Sequence, residues 1–77
     1  MAKKTRAHVL EALRYSERRV ASGPDDIEKQ RRVIERLEAR GDTITAAAAR
    51  VVLASMERAH QGRIARRDRV KRRLARG

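Results

Sequence analysis

The most constraining feature of this sequence is a seven-residue repeat that centres on residues 27–37, IEKQRRVIERL. Ile27 and Ile34 are seven residues apart, and the same step leads back to Val20 and then to Leu13. Two rows of this kind form an a/d heptad seam, which predicts a helix that packs against another helix along a narrow stripe. The second row consists of Val9, Ser16, Gly23, Gln30 and Leu37.

Composition supports an all-α fold in one small domain, residues 1–77. Charged residues make up 40% of the chain and a single Tyr is its only aromatic residue, so the apolar side chains are those that suit helix–helix contacts. Cysteine is absent, which excludes disulfides and thiol-based metal or redox sites. No apolar run approaches the roughly 20 residues that span a bilayer, and the basic N-terminus lacks a secretory h-region. We therefore predict a cytoplasmic location.

The sequence predicts helical segments joined by one tight turn. Gly41 is a natural residue for the end of a helix, and Thr43 or Thr45 can cap the helix that follows. A connection of about four residues forces the flanking helices to lie antiparallel. The predicted helices are about 5–21, 24–40 and 45–75.

Two signals conflict at Gly23-Pro24. Pro24 would clash with the carbonyl of Val20 inside a continuous helix, and Asp25-Asp26 are residues typical of a helix start. The heptad nevertheless passes through Gly23 without a change of phase. We therefore predict a coiled-coil-like antiparallel helical hairpin whose first limb is kinked or broken at Gly23-Pro24. A compact three-helix bundle is the alternative.

Packing along the hairpin should pair apolar residues of the two limbs. Folding back at the turn brings Leu37 near Ala49, Ile34 near Val52, and Ile27 near Met56. The seam is narrow, so we expect a homodimer in which two hairpins form a four-helix bundle through the Ala-rich face and Val51. The predicted packing and self-association residues are Leu13, Val20, Ile27, Ile34, Leu37, Val52, Leu53 and Met56.

Candidate chemistry is sparse in this sequence. His8 and His60 fall at different heights of the hairpin and cannot share a metal, and His60 is expected to be a partly buried packing residue. No glycine-rich phosphate loop or nucleophile elbow occurs. We therefore predict no enzymatic activity, no catalytic, cofactor-binding or metal-binding residue, and no small-molecule substrate.

Positive charge is concentrated at the two chain ends. Residues 63–77 carry eight basic side chains against Asp68 alone, and residues 1–24 carry six against two, within a net charge of +11. The hairpin brings these ends together, and such a patch attracts phosphate backbones. Sequence-independent nucleic-acid binding is therefore an alternative function, and an acidic protein is an alternative partner. The candidate binding residues are Lys3, Lys4, Arg63, Arg66, Arg67, Arg69, Lys71, Arg72 and Arg73.

A set of seam and turn positions forms a pattern of its own: Ile27, Gln30, Arg31, Ile34, Leu37, Glu38, Gly41, Leu53, Met56, Glu57 and His60. This pattern resembles that of a group of small uncharacterised bacterial helical proteins. The resemblance covers about residues 20–70 and implies a helical-hairpin fold and a bacterial origin. Because those relatives have no assigned activity, it implies no mechanism. Pro24 departs from the helix former that is usual there, and the turn is slightly longer.

Together these observations favour a self-associating macromolecular interaction module.

Overall fold

The computed structural model describes residues 5–76, and over that range the protein is a pair of helices packed side by side. Helix α1 spans Arg6–Ala39 and helix α2 spans Thr43–Ala75. The molecule is a rod with principal extents of 55 × 21 × 17 Å. No strand occurs within the described residues. The predicted all-α fold with two limbs packed on each other is therefore confirmed.

The helix ends show how the chain reverses. Gly41 has a φ of +75°, a left-handed conformation that a residue without Cβ adopts at little cost. The N–H of Asp42 donates to the carbonyl of Leu37 at 2.9 Å, which ties the turn to α1. The carboxylate of Asp42 then accepts from the N–H of Thr45 at 3.2 Å. Asp42 is thus the N-cap of α2, and the predicted caps, Thr43 and Thr45, lie inside the helix.

Helix α1 passes through Gly23 and Pro24 without interruption. The predicted segments 5–21 and 24–40 are therefore one helix, and neither the break nor the three-helix bundle describes the structure. Pro24 is exposed, so its ring meets solvent on one side. Its cost to α1 is the hydrogen bond that its nitrogen cannot donate and the crowding of its ring against the carbonyl of Val20. The heptad keeps one phase on both sides of Pro24, so a single seam runs along both halves of α1. A kink at Pro24 stays a prediction.

Burial follows the heptad along both helices. In α1 the buried residues Ile27, Ile34 and Leu37 all belong to the predicted rows. In α2 the pattern starts at the buried Ala46 and Ala49 and continues in alternating steps of four and three. The further members of the α2 seam are Leu53, Met56, His60, Arg63, Arg67, Val70 and Leu74, all half-buried.

The apolar core lies next to the turn. Ile34 and Leu37 of α1 form one cluster with Ala46 and Ala49 of α2. The side-chain amide of Gln30 donates to the carbonyl of Ala49 at 3.0 Å and closes the cluster on its open side.

The position of Val52 differs from the prediction, which packed this residue on Ile34. Its side chain is 50% exposed, because α2 directs Ala49 and Leu53 inward instead. Val52 lies beside the seam and is not part of the core.

The middle of the rod is a close contact between Gly23 and His60. A Cβ at position 23 would overlap the His60 ring at Nδ1, so the absence of a side chain lets the imidazole enter the seam. His60 is half-buried, as expected for a packing residue, and its Nδ1 is enclosed without a hydrogen-bond partner among the described residues. The close contact between the two helices at this height therefore depends on the absence of a side chain at Gly23.

Candidate self-association face and basic groove

The first candidate surface is the solvent-facing side of α2 beside the turn. Ile44 is 85% exposed and Val51 is 69% exposed, one heptad apart on the same side of the helix. Alanines at 47, 48 and 54 fill the space around them and are exposed as well. We call this set of five residues the outer apolar face.

The second candidate surface comes from the two edges that flank the seam. In an antiparallel pair, residues at heptad position e lie across from e, and residues at g lie across from g. On the e edge, Arg50 bonds to Glu38, and Lys71 lies 3.6 Å from Glu17. We call this side the paired edge, because its cations have acidic partners.

The g edge has a different charge pattern near the open end of the rod, whereas closer to the turn it carries Asp26. Two adjoining depressions run along it between the helices and share Ala12 and Arg66 as lining residues. No acidic side chain lines either depression. We call them together the basic groove. Its basic side chains are His8, Arg19, Arg63, Arg66, Arg69 and Arg73.

The arginines of the basic groove are not neutralised within the described chain. Among residues 5–76 none of these five arginines forms a salt bridge. Arg19 lies over the ring of Tyr15, 5.9 Å from its centroid, a cation–π contact that leaves the charge in place. Tyr15 itself is 56% exposed at the groove wall.

Within residues 5–76 the structure separates the predicted nucleic-acid-binding residues into several locations. Arg63, Arg66, Arg69 and Arg73 lie together in the basic groove. None of the other predicted residues in that range lines the groove. Arg67 is half-buried on the seam and donates to Asp68 at 3.1 Å. Lys71 lies on the paired edge, and Arg72 is exposed elsewhere on α2. Lys3 and Lys4 fall outside the described residues.

His8, Tyr15 and Arg19 also line the groove and were not among the predicted binding residues. A signal for Arg19 exists in the sequence, since it occupies a g position of the α1 heptad. Arg66 and Arg73 occupy g positions of the α2 heptad, so pairing the two heptads in antiparallel register would have placed all three on one edge.

The predicted packing residues all belong to the hairpin seam or its edge. Ile27, Ile34 and Leu37 are buried. Leu13, Val20, Leu53 and Met56 are half-buried, and Val52 is exposed at the edge.

Metal and membrane features were also assessed within residues 5–76. No group of three or more His, Cys, Asp or Glu is arranged there to hold a metal ion. Neither α1 nor α2 contains an apolar stretch that could cross a bilayer.

Comparisons with protein-family models, curated proteins and solved structures give no significant match to this chain. The resemblance to small bacterial helical proteins therefore stays a prediction. Function has to be argued from the outer apolar face and the basic groove themselves.

Proposed function

We propose that this protein is a non-enzymatic interaction module that works as a homodimer, with the outer apolar face as the contact between two copies. The observation that carries the proposal is the exposure of Ile44 and Val51 beside a core that has five buried apolar residues within the part of the chain that the structure describes. Large aliphatic side chains on a water-facing helix are covered when a partner packs on them. The bacterial origin and the cytoplasmic location stay predictions.

Surface area supports a partner of the same size. The single hairpin exposes 6252 Å² at a mass of 8.8 kDa. A compact monomer of that mass exposes about 4800 Å² by the usual scaling of surface with mass. The excess is about 1500 Å², which exceeds the roughly 800 Å² that each partner contributes to a standard interface. The excess accessible surface of one hairpin is therefore larger than the area that a second hairpin would cover in a standard interface.

The chemistry of the face suits a second copy. Between residues 44 and 55 the only charged residue is Arg50, and that side chain turns away to bond with Glu38. A stretch of twelve residues is about 18 Å long, enough for two α2 helices to cross and bury both copies of Ile44 and Val51. The intervening alanines let the two backbones approach closely. A two-fold arrangement is then self-complementary and leaves no buried charge.

The test is sedimentation equilibrium of the full chain over a range of concentrations. We expect a reversible dimer for the natural protein and a monomer for Val51→Glu, because the new carboxylate would be buried between two apolar faces. The matched control is Ala65→Glu, which puts the same charge on the same side of α2, two heptads further along, at an exposed position. Both variants should keep their helical circular dichroism.

Two results would contradict the proposal. One is a natural protein that stays monomeric at high micromolar concentration. The other is a dimer that Val51→Glu and Ala65→Glu weaken equally, since the contact would then lie elsewhere.

A further inference from the structure

We propose that the basic groove binds the phosphate backbone of duplex nucleic acid without regard to sequence. This function lies on a different surface from the outer apolar face and does not depend on the homodimer. The apolar face is carried by α2 near the turn, whereas the groove is carried by both helices near the open end of the rod.

The contrast between the two edges is the first observation. Both edges flank the same seam, and both carry cations. On the paired edge Arg50 and Lys71 each have a carboxylate from α1 within salt-bridge distance. Along the groove, α1 contributes Ala12 and Arg19 where a carboxylate would be needed. The like charges of the groove repel each other, and an external anion relieves that repulsion.

The spacing of the arginines is the second observation. Arg66, Arg69 and Arg73 follow one another at steps of three and four residues, which places neighbours about 5–6 Å apart on one side of a helix. From Arg63 to Arg73 the helix rises about 15 Å. A duplex strand presents one phosphate per about 3.4 Å of axis, so a strand lying along the groove offers about four phosphates. Guanidinium groups bind such oxygens in a bidentate manner.

The distribution of apolar residues favours nucleic acid over a membrane. Ile44, Val51 and Val52 are exposed at the turn end. Among residues 5–76, Tyr15 is the only large exposed apolar side chain at the groove end. A lipid surface would require apolar side chains that enter it beside the cations. Tyr15 alone cannot stack a series of splayed bases, so the backbone of a duplex fits better than single-stranded bases.

The test is a fluorescence-anisotropy titration of nuclease-treated, full-length protein with a mixed-sequence DNA duplex and an RNA hairpin. With four phosphate contacts, the slope of log affinity against log salt should be about −3.6 for duplex DNA. Affinity should then fall about 150-fold between 50 and 200 mM salt.

The decisive variants remove equal charge inside and outside the groove. Arg66→Gln/Arg69→Gln/Arg73→Gln should weaken binding at least tenfold and reduce the salt slope by about 2.7, the value for three lost contacts. The control Arg14→Gln/Arg18→Gln/Arg72→Gln removes three exposed arginines outside the groove and should change affinity less than threefold. Replacing the three groove residues by Lys should restore most of the binding, which excludes misfolding as the cause of the loss.

Three results would overturn the inference. The first is no binding of either nucleic acid at 50 mM salt. The second is an equal loss in the groove and control variants, which would show that net charge alone is responsible. The third is binding to vesicles that contain phosphatidylserine with none to nucleic acid.

Discussion

The two halves of this rod follow one heptad but place different residues in it. Near the turn, the seam holds Ile34 and Leu37 against Ala46 and Ala49. Toward the open end, the same positions hold Ser16 and Gly23 in α1, and His60, Arg63 and Arg67 in α2. Aliphatic residues in the seam remove apolar area from water, whereas these polar ones contribute little burial. We infer that the turn half, which also carries the outer apolar face, supplies most of the burial that stabilises the fold, whereas the open half carries the basic groove.

The largest expected effect comes from a charge placed in the turn half. Ile34→Asp should unfold the protein or lower its free energy of unfolding by more than about 3 kcal/mol, because Ile34 is 7% exposed and the carboxylate would have no partner. Urea titration followed by circular dichroism measures this. Ile44→Asp is the matched control, since Ile44 is 85% exposed. It should leave the hairpin folded and remove only dimerisation. Equal destabilisation by the two substitutions would contradict the assignment of the core to the turn half.

The next effect tests the junction between the halves. Gly23→Ala should lower the free energy of unfolding by about 1–3 kcal/mol, because the new methyl group overlaps the His60 ring and forces the helices apart. His60→Ala in the same chain should remove the overlap. The double variant should then be at least as stable as His60→Ala alone, because alanine is a better helix former than glycine by about 1 kcal/mol. A Gly23→Ala variant more stable than the natural protein would show that the contact is not tight.

The smallest effect is an expected gain at Pro24. Helix α1 is continuous there and Pro24 is exposed, so Pro24→Ala should restore a backbone hydrogen bond to the carbonyl of Val20. We expect the free energy of unfolding to rise by about 1–3 kcal/mol. Thermal unfolding measures the gain, and Ser22→Ala serves as an exposed control in the same turn. A loss of stability in Pro24→Ala would show that the packing of the natural hairpin requires a proline at this position.

Much of the fold could be read from local sequence. The heptad predicted which α1 side chains are inside, and Ile27, Ile34 and Leu37 are buried as that pattern requires. Gly41 predicted the turn, because few other residues adopt a left-handed conformation at low cost. The predicted break of the first limb at Gly23-Pro24 is wrong, because α1 is continuous there. Local sequence could not show this, since the continuity of α1 depends on packing along both of its halves.

The candidate surfaces could be read only in part. The exposure of Val51 and its alanine neighbours could be predicted, because these residues lie outside the heptad seam. The seam positions of Arg63 and Arg67 could not be predicted, because these residues interrupt an aliphatic stripe. Only the regular spacing of buried and half-buried residues in α2 identifies them. Arg67 was expected to bind a partner, yet it is half-buried and bonded to Asp68.

The sequence by itself determined an all-helical chain, one tight turn, a heptad seam and a concentration of positive charge near the chain ends. Each of these depends on residues close together along the chain. The sequence left open whether the first limb is one helix or two, and the structure shows one. Only the tertiary structure decided which cations are free and which are paired. Lys71 and Arg73 are two residues apart, yet Lys71 lies 3.6 Å from Glu17 and Arg73 lines the basic groove. The physical reason is that each helical residue turns the side chain by about 100°, so its edge, and therefore its partner, is known only when the register of the opposite helix is known.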